Sequence, residues 1–220
     1  MPLAYREITA PIVEPVTLAR AKKQLVVDAS FTDDDDLIQT YIVAARQMVE
    51  KMMNRSIFNR KMRLVLDYFP WPGWQTVTGA SHDAYLGWYF RALSIRLPKP
   101  ATYSVDAISY IGTDGQTHTI DPSNYVTDLI SEPARVSPAP GYTWPYQQNY
   151  IPGQVIIDYT SGTYGDGIKV NNCPQTIVMA ILLCVSHFYA HREASSDASL
   201  KTIPLGVAEL LAGETFESMV

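Results

Sequence analysis

Several clusters of residue types in this sequence could do chemistry, and each lacks a part that its chemistry needs. His187 and His191 stand four apart, a spacing that puts two imidazoles on one side of a helix as in metal-binding pairs. A zinc-protease helix carries Glu directly after the first His. Here Phe188 stands there, and only Glu193 is near enough in sequence to be a third ligand. The pair reads as a solvated or interface face. Asp33 to Asp36 offer hard oxygen ligands, but a calcium loop needs alternating ligands, a central Gly and a late Glu. A charged helix N-terminus accounts for the run instead. Ser81, His82 and Asp83 place the three hydrolase residue types in a row. Triads are assembled in space rather than by adjacency, and no Gly-x-Ser-x-Gly elbow occurs. Gly162 to Gly167 is glycine-rich without a phosphate-loop Lys or dinucleotide spacing, and reads as a mobile turn between strand and helix. The sequence therefore predicts no catalytic residue, no metal and no cofactor.

The remaining reactive or adhesive side chains are aromatic, thioether and thiol. Trp71, Trp74, Trp88 and Trp144 fall in one stretch with many of the 14 tyrosines. Such density marks a sheet core or a contact surface, and a carbohydrate- or receptor-binding face would use it too. Core and subunit contact is the preferred reading, with the binding module as the alternative. Met48, Met52 and Met53 read as core or interface filler. Cys173 and Cys184, if both on one helix, would be about 16 Å apart, well beyond the roughly 7 Å that a disulfide spans. Two free thiols and a reducing compartment follow.

The elements that must position these groups begin with a helix after Pro15. Thr17 is its N-cap, and Leu18, Ala21 and Leu25 repeat at helical spacing. A second helix runs from Asp33 to Asn54 with Thr32 as cap. Its expected apolar stripe is Leu37, Tyr41, Ala45, Met48 and Met52, widened by Ile38, Ile42 and Val49. The period then changes to two, predicting a strand over 62–69. Further strands are expected near 93–97, 105–111, 116–120, 124–127 and 155–160, with a turn at Thr113-Asp114-Gly115. Residues 75–89 and 138–152 read as long packed loops. Helical spacing returns after Asn172 with Pro174 in the first turn. There Ile177, Ile181, Cys184, Val185 and Phe188 form the buried stripe. Ser195 to Ser199 is a polar break. Pro204 opens a last helix with Leu205, Val207, Leu210 and Leu211, Gly213 ends it, and 214–220 reads as a loose tail.

This order predicts an α+β protein: a small antiparallel helical bundle (two N-terminal and two C-terminal helices) with an inserted antiparallel β lobe. The bundle takes residues 1–58 and 168–220, the lobe 59–167. At 220 residues, 47% hydrophobic and 18% charged, with a mean hydropathy of -0.04, the chain can build a core. A net charge of -5 argues against tight phosphate binding. The longest apolar run, 177–185, is far short of the roughly 20 residues of a membrane span, and the first residues lack a secretory pattern.

The pieces, taken in order, resemble the phage head–tail connector family in its longer form with a β insertion. They are Glu14-Pro-Val-Thr-Leu-Ala-Arg-Ala-Lys-Lys-Gln-Leu, Asp34-Asp-Asp-Leu-Ile, Val49-Glu-Lys-Met-Met-Asn-Arg, Leu66-Asp-Tyr-Phe-Pro, Ile111-Gly-Thr-Asp-Gly, Tyr125-Val-Thr-Asp, Ala134-Arg-Val-Ser-Pro, Trp144-Pro, the long helix from Ile177, and Ile203-Pro-Leu-Gly-Val-Ala-Glu-Leu-Leu. The ending, Ala212-Gly-Glu-Thr-Phe-Glu-Ser-Met-Val, departs from the aromatic–Arg ending of many relatives. The resemblance implies a virion neck protein, made in the host cytoplasm, that does no chemistry. It implies a homo-oligomeric ring, usually of twelve subunits, between the portal protein and the tail terminator or stopper, with genomic DNA passing through without tight binding. Pro204, Leu205, Val207, Leu210, Leu211 and Phe216 are then the expected portal-docking segment. Leu37, Tyr41, Met48, Met52, Ile177, Ile181 and Phe188 are the expected core and subunit interface.

Overall fold

The computed structural model describes residues 4–70, 93–146, 151–191 and 205–216. The chain divides into two compact units, one of residues 1–10 with 60–162 and one of 11–59 with 163–220.

The first unit is made of strands. Its five-stranded sheet combines β1 (Ala4–Thr9), β2 (Arg60–Leu66), β4 (Thr102–Ile111), β5 (Thr117–Thr119) and β8 (Val155–Ser161) in the order β1-β2-β8-β4-β5. All the pairings are antiparallel. A three-stranded antiparallel sheet holds β3 (Ile95–Arg96), β7 (Arg135–Pro138) and β6 (Tyr125–Asp128) in that order. Alternation along the strands decides which face is dry. Met62, Leu64, Ile108, Val155, Ile157 and Tyr159 from the larger sheet, and Ile95 and Val136 from the smaller, are buried in one cluster. The two sheets thus close one core between them, as in a sandwich. The opposite face of the larger sheet is a charge ladder. Arg63 grips Asp158 with two hydrogen bonds of 2.7 and 2.8 Å, and Lys61 reaches Asp106 at 2.7 Å.

The second unit is helical: α1 (Leu18–Leu25), α2 (Asp35–Met53), α3 (Gln175–Ala190) and α4 (Leu205–Leu211). Thr17 caps α1 by accepting the N–H of Arg20. α3 buries a wide face from Ile177 to Val185, leaving Met179 exposed and Leu183 half-buried on its other side, and so packs on several neighbours. Its main partners are α2 and α4.

Several expectations are corrected. Residues 4–9, expected with the helices, form edge strand β1 against β2. Their side chains from Tyr5 to Thr9 are exposed on both faces, so no alternation marked them as a strand. β7 falls where a loop was expected to begin, and β2 ends at Leu66 rather than residue 69. α2 starts at Asp35, two residues later than read, because Thr32 supplies its backbone carbonyl to the Asp35 N–H rather than a side-chain cap. Pro174 is the residue before α3, not in its first turn.

The loop over 162–167 is tied down rather than mobile. Asn59 N–H bonds to Gly165 C=O, and Thr163 and Tyr164 N–H bond to Ser56 and Ile57 C=O. Asp166 accepts the N–H groups of Ile168, Lys169 and Val170 at 2.8 to 3.0 Å. Gly167 sits at φ 75°, and a side chain there would run into Val13 and Phe58, so both the backbone and the space demand glycine.

Candidate assembly surfaces

In the helical unit the buried line of α2 is Ile38, Ile42, Ala45, Val49 and Met53. Ala45 and the widening residues Ile38, Ile42 and Val49 of the expected face are the buried ones, while Leu37, Tyr41, Met48 and Met52 each lie one position before a buried residue, a rotation of about 100°. Tyr41, Met48 and Met52 are consequently half-buried shoulders of the core, and Leu37 is half-exposed and outside the core cluster. Ile177 and Ile181 of α3 are fully buried. Phe188 is half-buried, with its ring centroid 6.0 Å from that of Tyr41. Ile177 and Ile181 therefore serve the core, whereas Leu37, Tyr41, Met48, Met52 and Phe188 keep accessible surface.

The end of the chain is held, not loose. Val207 and Leu211 of α4 are buried in the helical core, with Leu210 packed at its edge. Beyond the helix, Phe216 N–H donates to Met53 C=O at 2.8 Å, and its ring lies under the Arg55 guanidinium. Thr215 Oγ1 donates to Leu211 C=O, and Tyr164 O–H donates to Glu214. Burial raises the Tyr164 hydroxyl pKa and that bond adds to it. Burial, with Glu214 nearby, pushes the Cys173 thiol up to about 11, and burial likewise raises Cys184. Both cysteines are free thiols. Pro204 and residues 217–220 lie outside the described residues, as does the Leu205 side chain.

An ionic tie organises the helices. Arg46 is 3% exposed, and its guanidinium bonds to Glu14 and Glu50, each at 2.7 Å. The other Glu50 oxygen accepts Ile57 N–H at 2.8 Å. Of the acidic run, Asp34 accepts the Tyr189 hydroxyl and Asp35 pairs with buried Lys22, while Asp35 and Asp36 form the first turn of α2. The His187 and His191 rings are 4.6 Å apart, and His191 Nδ1 meets the His187 carbonyl. Among the described residues no three His, Cys, Asp or Glu side chains converge as metal ligands. Ser81, His82, Asp83 and Glu193 lie outside the described residues. No described helix is long and apolar enough to cross a membrane.

In the β unit, Trp144 is 3% exposed, stacks on Phe69 with centroids 4.9 Å apart, and donates its indole N–H to Leu93 C=O at 2.8 Å. It is core, with no free ring face for a sugar. Trp71, Trp74 and Trp88 lie outside the described residues. The sequence reading missed the loop joining β6 to β7. There Asp128 accepts the N–H groups of Ile130 and Ser131, the Ser131 hydroxyl and the Arg135 guanidinium. Those bonds, led by the Ser131 hydroxyl and Arg135, hold the Asp128 carboxyl far below the usual carboxylate range. At its tip Ile130 is 96% exposed. The apolar pair Leu129-Ile130 between Asp128 and Ser131 in a short loop was the one signal available.

Residues 15–78 match the model of the phage gp6-like head-tail connector protein family. Over that stretch the chain is similar to the phage head–tail connector family. The match runs through α1, α2 and β2, which carry Arg46, Glu50, Lys61 and Arg63, while their partners Glu14, Asp106 and Asp158 lie outside it. No curated protein matches the sequence. Solved structures from gene transfer agent particles share the fold over nearly the whole chain. A chain from the neck of an empty GTA particle computed with C6 symmetry is 18% identical, with a TM-score of 0.70 over 99% of this chain and 97% of that one. A chain from the virion of a native gene transfer agent (GTA) particle gives 18% and 0.69 over 98% and 97%. One from the neck of a native GTA particle computed with C12 symmetry gives 20% and 0.66 over 100% and 98%.

Proposed function

We propose that this connector-family chain is a structural subunit of the neck of a phage-like particle. Copies of it form a ring between the portal protein and the tail terminator or stopper, and genomic DNA passes through the ring without tight binding. The observation that carries this reading is the conjunction of two matches. The family model covers the N-terminal helices and β2, and the fold of neck-particle chains extends over 98–100% of this one. The net charge of -5 is compatible with a channel wall that does not grip the phosphate backbone. The role is structural rather than catalytic, and it asks only for rigid subunits with accessible sides. The half-buried shoulder of Leu37, Tyr41, Met48, Met52 and Phe188 supplies such a side on the helical unit.

Docking on the portal is assigned to the C-terminal end, in a form revised by the burial of Val207 and Leu211. The outer face of α4, with exposed Ala208, Glu209 and Ala212, is what remains accessible there. The test is light scattering of the purified chain, alone and mixed with portal rings. The expected result is binding at one copy per portal subunit, reduced by Glu209→Lys with no change in melting temperature. A chain that stays monomeric and ignores the portal refutes the reading.

A further inference from the structure

We propose that the β6–β7 loop is an assembly knob: Ile130 of one copy enters the trough on the outer face of the three-stranded sheet of a second copy. This rests on the ring reading above and deepens it by naming a subunit contact. Ile130 is 96% exposed, yet its loop is fixed. Asp128 Oδ1 receives the N–H groups of Ile130 at 3.3 Å and Ser131 at 3.0 Å, while Oδ2 receives the Ser131 hydroxyl at 2.6 Å and the Arg135 guanidinium. A loop already ordered gives up little conformational freedom when a partner covers it. A side chain presented in this way is preorganised for burial.

The complementary feature lies on the same sheet. The register pairs Val126 with Ser137 and Asp128 with Arg135, so these four share the face opposite buried Val136. They floor a cavity of about 690 Å³ whose other lining includes Leu93, Pro140 and Tyr142. Its surface is mostly apolar, Val126 is 54% exposed in its floor, and the Ser137 hydroxyl is already bonded to that of Ser94. A neutral knob therefore meets a wall with few unsatisfied polar groups. The charges beside the knob, Asp128 and Arg135, neutralise each other within one chain, so covering them strands no charge. Knob and trough adjoin at Asp128 and Arg135, and in a ring the contact of one copy's knob with the next copy's trough repeats head-to-tail round the axis. One isoleucine in one trough buries far less than the roughly 1,200 Å² of a free-standing complex. That favours a copy already held alongside in a ring over an independent partner.

The test uses full-length chains in a Cys173→Ser background. Ile130→Cys and Ala139→Cys are made separately, mixed at high concentration with portal rings present, and oxidised. The expected product is a disulfide joining the two different chains, at several times the yield from Ile130→Cys mixed with Ala208→Cys. Yield at that control level where light scattering shows a ring overturns the proposal; where no ring forms, the ring reading fails and the proposal falls with it. Ile130→Asp is the second arm. The side chain packs against nothing in its own chain, so melting and circular dichroism should not change, while self-association weakens on the order of tenfold or more. Unchanged self-association also overturns the proposal. Cross-linking without portal binding would instead sustain this contact and refute the portal reading.

Discussion

Replacing Arg46 with Met removes the charge at the centre of the helical unit and should be among its most damaging single changes. Arg46 joins Glu14, in the segment before α1, to Glu50 on α2, and Glu50 in turn holds Ile57 N–H beyond the end of α2. Burial works against the arginine charge, but Glu50 and Glu14 outweigh it and raise its pKa above the ordinary value. Methionine fills most of the volume yet takes from Glu50, whose side chain is 6% exposed, the guanidinium bonded to it at 2.7 Å. Removing one partner of a buried pair costs about 3–5 kcal/mol. Glu50→Gln keeps an acceptor for Ile57 but turns a donor toward the guanidinium, and losing a charged hydrogen bond costs about 1.5–3 kcal/mol. The double variant removes both charges and should cost less than Arg46→Met alone. Domains of this size hold about 5–15 kcal/mol in all, so urea unfolding of the full chain, followed by helical circular dichroism, resolves these differences. A cost below about 1 kcal/mol for Arg46→Met, or a double variant equal to the sum of the singles, would refute the argument.

Other expectations concern single positions. Val26, 91% exposed, closes α1 at φ 58°, where a β-branched residue is strained. Val26→Gly should raise stability by about 0.5–1 kcal/mol, and a lowered melting temperature would contradict this. Trp144→Phe should cost about 1 kcal/mol through the lost bond to Leu93, and Trp144→Ala about 3–5 kcal/mol by the cavity; denaturant titration of the native tryptophan signal and of β-sheet dichroism measures both. Asp106 has its pKa lowered from 3.8: burial opposes this, but bonds from Lys61, Ser104 and Thr160 outweigh it. Its stabilising share is therefore present above the unfolded pKa and is lost as pH falls through the lower folded value. Acid unfolding below about pH 4 should be less steep in Asp106→Asn, and an unchanged slope would count against it.

Helices were legible in the sequence because their signals are local. Thr17, the acidic start of α2 and the spacing from Ile177 to Val185 state each element, with ends off by one or two residues at the start of α2 and α3. The phase of α2 was less legible, because apolar residues cover so much of its circumference that the buried line depends on what α3 presents. β1 was illegible for a related reason. Its side chains face water on both sides, and only its backbone pairing with β2 makes it a strand. β7 is four residues long with a single buried side chain, Val136, too short to show a period. The Arg46 tie spans 32 positions to Glu14, and the Asp128 staple depends on a loop conformation. Neither has a pattern in sequence, since hydrogen bonds of this kind are fixed by tertiary geometry.

On the proposed docking role, the position of α4 narrows how the chain can meet a partner. A docking segment must offer surface, yet Val207 and Leu211, which the sequence offered as docking residues, are already core. Freeing them would forfeit about 1.5–3 kcal/mol for each side chain. It would also break the Phe216 bond to Met53 and the Glu214 bond to Tyr164. A partner that drew α4 out would have to return all of this before any affinity was gained. A partner that reads the exposed face of a docked α4 returns none of it. The second route needs less binding energy for the same affinity. Under that proposal the four anchor points, Val207, Leu211, Glu214 and Phe216, hold that face still rather than form the contact itself.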